Sequence, residues 1–164
     1  MKLASSLLLV VACLVSRAAE PEYPKQGADV YDAKADGSSL VTAALAKAQA
    51  EGKNVLLDFG ANWCPWCHKL HSVFAGNASV KAAIDSNFVL VYIDVNKRNG
   101  PARNPAVNER FGNPIAHGLP VLVVTDASGK LLTTQDTGDL EEGETHSPQK
   151  ILAFLARWAP AAKK

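Results

Sequence analysis

Val55-Leu56-Leu57-Asp58-Phe59-Gly60-Ala61-Asn62-Trp63-Cys64-Pro65-Trp66-Cys67 carries most of what can be inferred about this chain. The continuous apolar run from Val55 to Phe59 is the pattern of a short strand covered on both faces, as in a parallel sheet. Pro65 suits the first position of a helix, where its missing N–H is no loss, so Cys64 falls at the N-cap. Two cysteines three residues apart at a helix start share a face and are close enough to bridge. The sulfur of Cys64 then meets unpaired backbone N–H groups and the positive end of the helix dipole, which favour thiolate over thiol. Cys64 is the expected nucleophile. Cys67, one turn inward, is the thiol expected to attack a mixed disulfide and release the product. A bridge closing so short a loop stabilises a fold by only roughly 2 kcal/mol, which suits a reversible switch better than a staple.

Asp58 is the next residue to explain, because a carboxylate inside a strand covered on both faces is costly. Burial should raise its pKa toward neutrality. A carboxyl so tuned beneath Cys67 can take the resolving thiol's proton at the moment of attack and return it later. The alternative is a strand-end aspartate facing water. His68, Lys69 and His71 add potential positive charge to the same helix, which is either an aid to Cys64 ionisation or an exposed polar face.

Working outward, residues 19–37 are rich in Pro, Gly and charge and read as a linker or an arm laid over the domain. Ser38 or Ser39 is the expected cap of a helix to about Glu51, with Leu40, Val41, Ala44, Leu45 and Ala48 at helical spacing and Gly52 as its stop. Helices are expected over 65–74 and 79–86, and a second buried strand over 88–95 with Asp94 near its end. Asn96 to Asn104 reads as a loop whose Lys97, Arg98 and Arg103 are solvated. Asn104-Pro105 caps a short helix to Phe111. Leu119 to Val124 is a strand opening with proline, Ala127 to Lys130 a turn, and Leu131 to Thr134 the returning strand of an antiparallel hairpin. Asp136 to Glu144 is acidic and expected to be solvated. Ser147-Pro148 starts a last helix with Ile151, Leu152, Phe154, Leu155 and Trp158 as its apolar stripe. The class is α/β, a central mixed sheet flanked by helices, with one domain over 38–160 and a tail at 161–164.

The N-terminus reads as an export signal over 1–18: Lys2, an apolar stretch from Leu3 to Val15, and small residues Ser16 and Ala18 placed for cleavage after Ala18. The stretch is too short to span a bilayer. Cleavage removes Cys13 and leaves Cys64 and Cys67 as the only cysteines, so no larger disulfide framework is available to the exported chain. A lipoprotein-type anchor at Cys13 is the less favoured alternative. The expected location is therefore periplasmic or secreted. A formal net charge of +1, about −1 without Lys2 and Arg17, gives no sign of a nucleic-acid partner.

On these residues the chain resembles the thioredoxin superfamily over about Ser38 to Trp158. Leu57-Asp58-Phe59 precedes Trp63-Cys64-x-x-Cys67 at the family's spacing, Gly118-Leu119-Pro120 matches its cis-proline loop, Asp94 its strand end, and Asp126-Ala127-Ser128-Gly129-Lys130 its hairpin turn. Ala61-Asn62-Trp63-Cys64, Asn77-Ala78-Ser79-Val80 and Gly118-Leu119-Pro120 are most similar to exported bacterial members and to the periplasmic C-terminal domains of DsbD reductases. The resemblance implies a thioredoxin fold, a cis Pro120 beside the cysteines, and a Leu119 backbone that pairs with the substrate chain. It implies thiol-disulfide exchange on protein substrates, with Trp63, Pro65, Trp66, Leu119 and Pro120 as substrate contacts and Cys64, Cys67 and Asp58 as the catalytic set. No cofactor or metal is expected, an upstream membrane thiol reductant is the expected electron source, and the chain is expected to be a monomer. Three positions depart from the family: Leu90 stands for a frequent lysine facing the buried acid, Gly60 for a frequent aromatic residue, and Pro65-Trp66 for the reductases' Gly-Pro. Reduction or isomerisation is favoured over oxidation because Gly118-Leu119-Pro120 resembles the reductase-like members.

Two rivals remain on the sequence. Cys64-Pro65-Trp66-Cys67-His68 is a literal c-type haem attachment motif, although Met1 is the only methionine and a sixth ligand would have to be a histidine such as His71, His117 or His146. Cys64 and Cys67 with a histidine also suggest a metal (copper or zinc) binding chaperone, for which a lone pair of cysteines is thin support.

Overall fold

In the computed structural model, residues 27–96 and 101–161 are described. The segment 1–18 read as an export signal, Lys97, Arg98 and the tail beyond residue 161 lie outside them. Helix α1 spans Gly37–Glu51, strand β1 Asn54–Gly60, helix α2 Pro65–Gly76, helix α3 Ala78–Asn87 and strand β2 Phe88–Asp94. Helix α4 (Pro105–Arg110) and a 3₁₀ turn (Pro114–His117) lead to strands β3 (Val121–Thr125) and β4 (Leu131–Asp136). A second 3₁₀ turn (Thr137–Leu140), a short hairpin of β5 (Glu141–Glu142) and β6 (Thr145–His146), and helix α5 (Pro148–Trp158) complete the order.

The sheet runs β2-β1-β3-β4, with β1 parallel to β2 and antiparallel to β3, so it is mixed. All seven positions of β1 are buried, as the apolar run requires of a central strand. Period-two alternation splits its side chains between two cores. Val55, Leu57 and Phe59 join Val121, Val123 and α1 residues Val41, Ala44 and Ala48 on one face. Leu56 joins Leu122, Val124, Leu70 and Phe74 of α2, and Ile151, Phe154 and Leu155 of α5 on the other. Asp58 therefore projects to the α2 face. Strand β2 lies at the sheet edge, and Val89, Leu90 and Tyr92 are half-buried rather than buried on both sides as expected.

Several local expectations are corrected. The cap of α1 is Asp36, not Ser38 or Ser39: its carboxylate accepts from Ser38 N at 3.0 Å and Ser39 Oγ at 2.8 Å, and an anion suits the helix N-terminus better than a hydroxyl. Gly52 ends that helix in the left-handed conformation, as expected of a glycine stop. Leu40, placed on the apolar stripe, is exposed. Arg103 is not simply solvated, because its Nη1 lies 2.8 Å from Oδ2 of the buried Asp94. The acidic segment after Asp136 is not merely a solvated run. It buries Thr137 and Leu140, and its hairpin lays β6 against α2. No helix among the described residues is long and apolar enough to cross a membrane.

Candidate active site

Cys64 is the N-cap of α2 and Pro65 its first residue. The backbone N–H of Cys67 donates to Cys64 Sγ at 3.2 Å, the contact that capping by a sulfur predicts. Both cysteines are in the dithiol form. Cys64 lines a groove of about 500 Å³ shared with Trp63, Pro65, Trp66, Ile115, Gly118 and Leu119, whereas Cys67 has no exposed surface. Burial, then hydrogen bonding to Cys64 and the nearby charges of Cys64 and Asp58, push the Cys67 thiol far above the ordinary thiol range.

The Leu119–Pro120 peptide is cis, and Cys64 Sγ lies 3.6 Å from Leu119 O. Pro120 is buried, and its carbonyl accepts from Thr137 Oγ1 at 2.6 Å, so the segment read as solvated anchors the proline loop from behind. Trp63 Nε1 donates to Asn96 Oδ1 at 3.2 Å, and Asn96 N donates to Asp94 Oδ1 at 2.9 Å. The end of β2 thus orients one wall of the groove. Trp66 is held on the other side by His146, whose ring meets it edge-on at 5.4 Å, and by Lys69 Nζ, 4.2 Å from its ring centroid.

Asp58 is fully buried, and burial lifts its pKa from 3.8 to about 7, with the Tyr31 hydrogen bond opposing and the charge of Cys64 adding to that rise. Tyr31 was not legible as a site residue. It comes from the described part of the N-terminal arm, is 1% exposed, and donates its hydroxyl to Asp58 Oδ1 at 3.0 Å. Its ring packs in one cluster with Cys64 and Cys67. Asn62 locks the arm in place: Oδ1 accepts from Val30 N and Tyr31 N, both at 2.9 Å, and Nδ2 donates to Tyr31 O at 2.8 Å. The signal was Gly60. A Cβ there would overlap the Tyr31 hydroxyl and come 2.9 Å from Cys67 Sγ, so the missing side chain is the space that Tyr31 enters. Leu90 pairs in register with Leu56 and packs into the α2-side core, leaving Tyr31 as the donor to the acid.

The remaining polar residues of α2 have partners of their own. His68 Nε2 donates to Asn62 O at 2.8 Å, His71 Nδ1 lies 3.0 Å from Tyr92 Oη, and burial followed by the charge of His68 holds His71 toward its neutral form. For the haem reading, the histidine of the motif is engaged by Asn62 and both cysteines that would form thioethers are buried. Among the described residues no three His, Cys, Asp or Glu side chains converge as metal ligands.

A thioredoxin-like family profile matches residues 38–127. The chain belongs to the thioredoxin-like family. It is 34% identical over 115 residues to the thiol:disulfide interchange protein DsbD of Pseudomonas sp. (strain JR1 / K1), a match covering 70% of this chain and 17% of that protein. The DsbD of Vibrio cholerae serotype O1 is 41% identical over 92 residues, 56% of this chain and 14% of that protein. The chain thus spans less than a fifth of the length of these relatives. The crystal structure of a disulphide isomerase from Xylella fastidiosa Temecula1 superposes with a TM-score of 0.69 at 36% identity, over 78% of this chain and 95% of that one. The C-terminal domain of Neisseria meningitidis DsbD in its oxidised form shares the fold, with a TM-score of 0.53 at 21% identity over 76% of this chain and 97% of that domain. These two solved structures show that the chain has the thioredoxin fold.

Proposed function

We propose that this is an exported, periplasmic or secreted oxidoreductase that exchanges disulfides with protein substrates, in the reductase or isomerase direction. The observation that carries it is the asymmetry of the cysteine pair: Cys64 lines a largely apolar groove of about 500 Å³, and Cys67 is sealed behind it against a buried acid. The Cys64 thiolate attacks a substrate disulfide and forms a mixed disulfide, expelling one substrate thiolate. Cys67 surrenders its proton toward Asp58 and attacks Cys64, releasing the second substrate thiol and leaving the enzyme oxidised. Trp63, Pro65, Trp66, Leu119 and Pro120 hold the substrate chain. A membrane thiol reductant restores the dithiol, and the protein acts as a monomer.

In an insulin-type assay, Cys64→Ser should abolish disulfide reduction and Cys67→Ser should accumulate mixed disulfides that survive alkylation and resolve on non-reducing gels. Full activity in both variants would end this mechanism. Direction is read by equilibration with glutathione buffers: a potential near about −270 mV marks a reductant, and one near about −120 mV an oxidant.

A further inference from the structure

Resting on the reading of Asp58 as the proton acceptor, we propose that the Tyr31 hydroxyl is the relay between Cys67 and Asp58, a residue of the reaction supplied by the N-terminal arm. Three observations carry this. The phenol oxygen stands 3.0 Å from Asp58 Oδ1, it and Cys67 Sγ both lie within 2.9 Å of the point a Cβ on Gly60 would take, and both Asp58 and Cys67 act on the Tyr31 phenol through hydrogen bonding and charge, so the hydroxyl sits beside the thiol as well as the acid. The Asn62 clamp fixes the Tyr31 backbone through two hydrogen bonds and that of Val30 through a third, and the ring itself is buried. Asp58 Oδ2 is buried with no partner among the described residues, so the Tyr31 hydroxyl is the carboxyl group's hydrogen-bonded connection toward the cysteines.

In the relay step, Cys67 gives its S–H proton to the phenol oxygen as the phenol proton passes to Asp58 Oδ1. The Cys67 sulfur forms a bond to Cys64 Sγ, the bond from Cys64 to the substrate sulfur breaks, and the electron pair leaves on the substrate, which takes a proton from solvent. The cysteine pair is oxidised by two electrons and the substrate disulfide is reduced by two. When the enzyme disulfide is next reduced, the proton retraces its path to Cys67. Tyr31 is never ionised at rest, since burial, ahead of the charges of Asp58 and Cys67, keeps its phenol protonated well above pH 10. The ionisable groups facing Asp58 are Tyr31 from the arm, Cys64 and Cys67 from α2, and Tyr92 from β2, with His71 on the far side of Tyr92.

The test isolates the resolving step. Reaction with a chromogenic aryl disulfide releases one coloured thiolate when Cys64 attacks and a second when Cys67 resolves the adduct, and the second phase is followed from pH 5 to 9. Tyr31→Phe keeps the ring and removes the relay atom. It should slow the second phase at least tenfold and move its pH midpoint upward, because the carboxylate loses a hydrogen bond that favours its charged form. Both effects should vanish in the Asp58→Asn background. A wild-type rate and midpoint in Tyr31→Phe overturns the relay, as does a Tyr31→Phe effect that persists undiminished beside Asp58→Asn. If Asp58→Asn alone keeps the wild-type profile, the acceptor reading falls and takes the relay with it. In the wild-type protein, the ring carbon bearing the Tyr31 hydroxyl should follow the Asp58 titration by NMR and lose that inflection in Asp58→Asn. A flat response from pH 5 to 9 refutes the proposal without any Tyr31 variant.

Discussion

Asp58→Asn should reverse its effect on stability between acid and alkaline solution. Burial moves the Asp58 pKa from 3.8 to about 7, so between those values the folded chain keeps a proton that the unfolded chain releases. The pKa of an acid raised by folding makes stability fall as pH rises through that window, and the loss is complete above it. Roughly three units at about 1.4 kcal/mol each amount to about 4 kcal/mol. Asparagine removes this penalty. Its Oδ1 can still accept from Tyr31, but its amide places a donor where Asp58 Oδ2 has no partner, at about 1–3 kcal/mol whatever the pH. The variant should therefore be less stable than wild type near pH 4 by about that amount, and more stable near pH 8 by about 1–3 kcal/mol. Urea unfolding of both proteins, kept reduced with a phosphine at pH 4, 6 and 8, measures the difference. At about 1–3 kcal/mol per molar urea, the midpoints should cross and separate by about 1 M on the alkaline side. His146 titrates in both proteins, and its contribution cancels in the comparison. A difference that stays constant within about 1 kcal/mol from pH 4 to 8 would mean that Asp58 titrates in the folded chain as it does in water, and the buried-acid argument would be refuted.

His146 should impose the opposite slope. Both of its ring nitrogens are buried without a hydrogen-bond partner among the described residues, and burial, then the charge of Lys69, holds its pKa down to about 4. A depressed histidine contributes stability that is present above pH 6.5 and lost as pH falls toward 4, at most about 3 kcal/mol. In the same urea series the gap between His146→Leu and wild type should depend on pH over that window, and a pH-independent gap refutes the assignment. Gly60→Ala should cost about 1–3 kcal/mol through overlap with the Tyr31 hydroxyl. Most of that cost should disappear beside Tyr31→Ala, a coupling that thermal unfolding of the four proteins in a double-mutant cycle would measure. Simple additivity would show that the two positions do not share the space.

What could be read in the chain depended on how local the cause was. The strand from Val55, the helix opening at Pro65 and the hairpin after Pro120 follow from periodicity and turn chemistry within a few residues, and the fold they imply is the fold found. Asp58 was legible because a carboxylate among Val, Leu and Phe is a local contradiction. Tyr31 was not, because it lies 27 residues from Asp58, in an arm without any period, and the two meet only after the whole sheet has formed. The cap of α1 was misplaced by preferring the nearer serines over Asp36, whose carboxylate binds those serines. His146 and Thr137 were hidden by acidic neighbours. Burial within that segment is decided by which side chains face α2 and Pro120, and composition averages that away.

The exchange of a charged partner for a hydroxyl has a chemical consequence. A lysine facing the acid, as in many thioredoxins, favours the ionised carboxylate and pulls its pKa down. Here Leu90 lies in an apolar core and the partner is a phenol that stays neutral, so its hydrogen bond only moderates the rise that burial imposes. Asp58 is left near half-protonation at neutral pH, where the fraction able to accept the Cys67 proton and the ease of giving it back are both appreciable. A buried lysine in place of the tyrosine would have made the acid a better charge partner and a weaker base. Gly60, which makes room for the phenol, is in this sense as much a part of the proton chemistry as the residues that carry the proton.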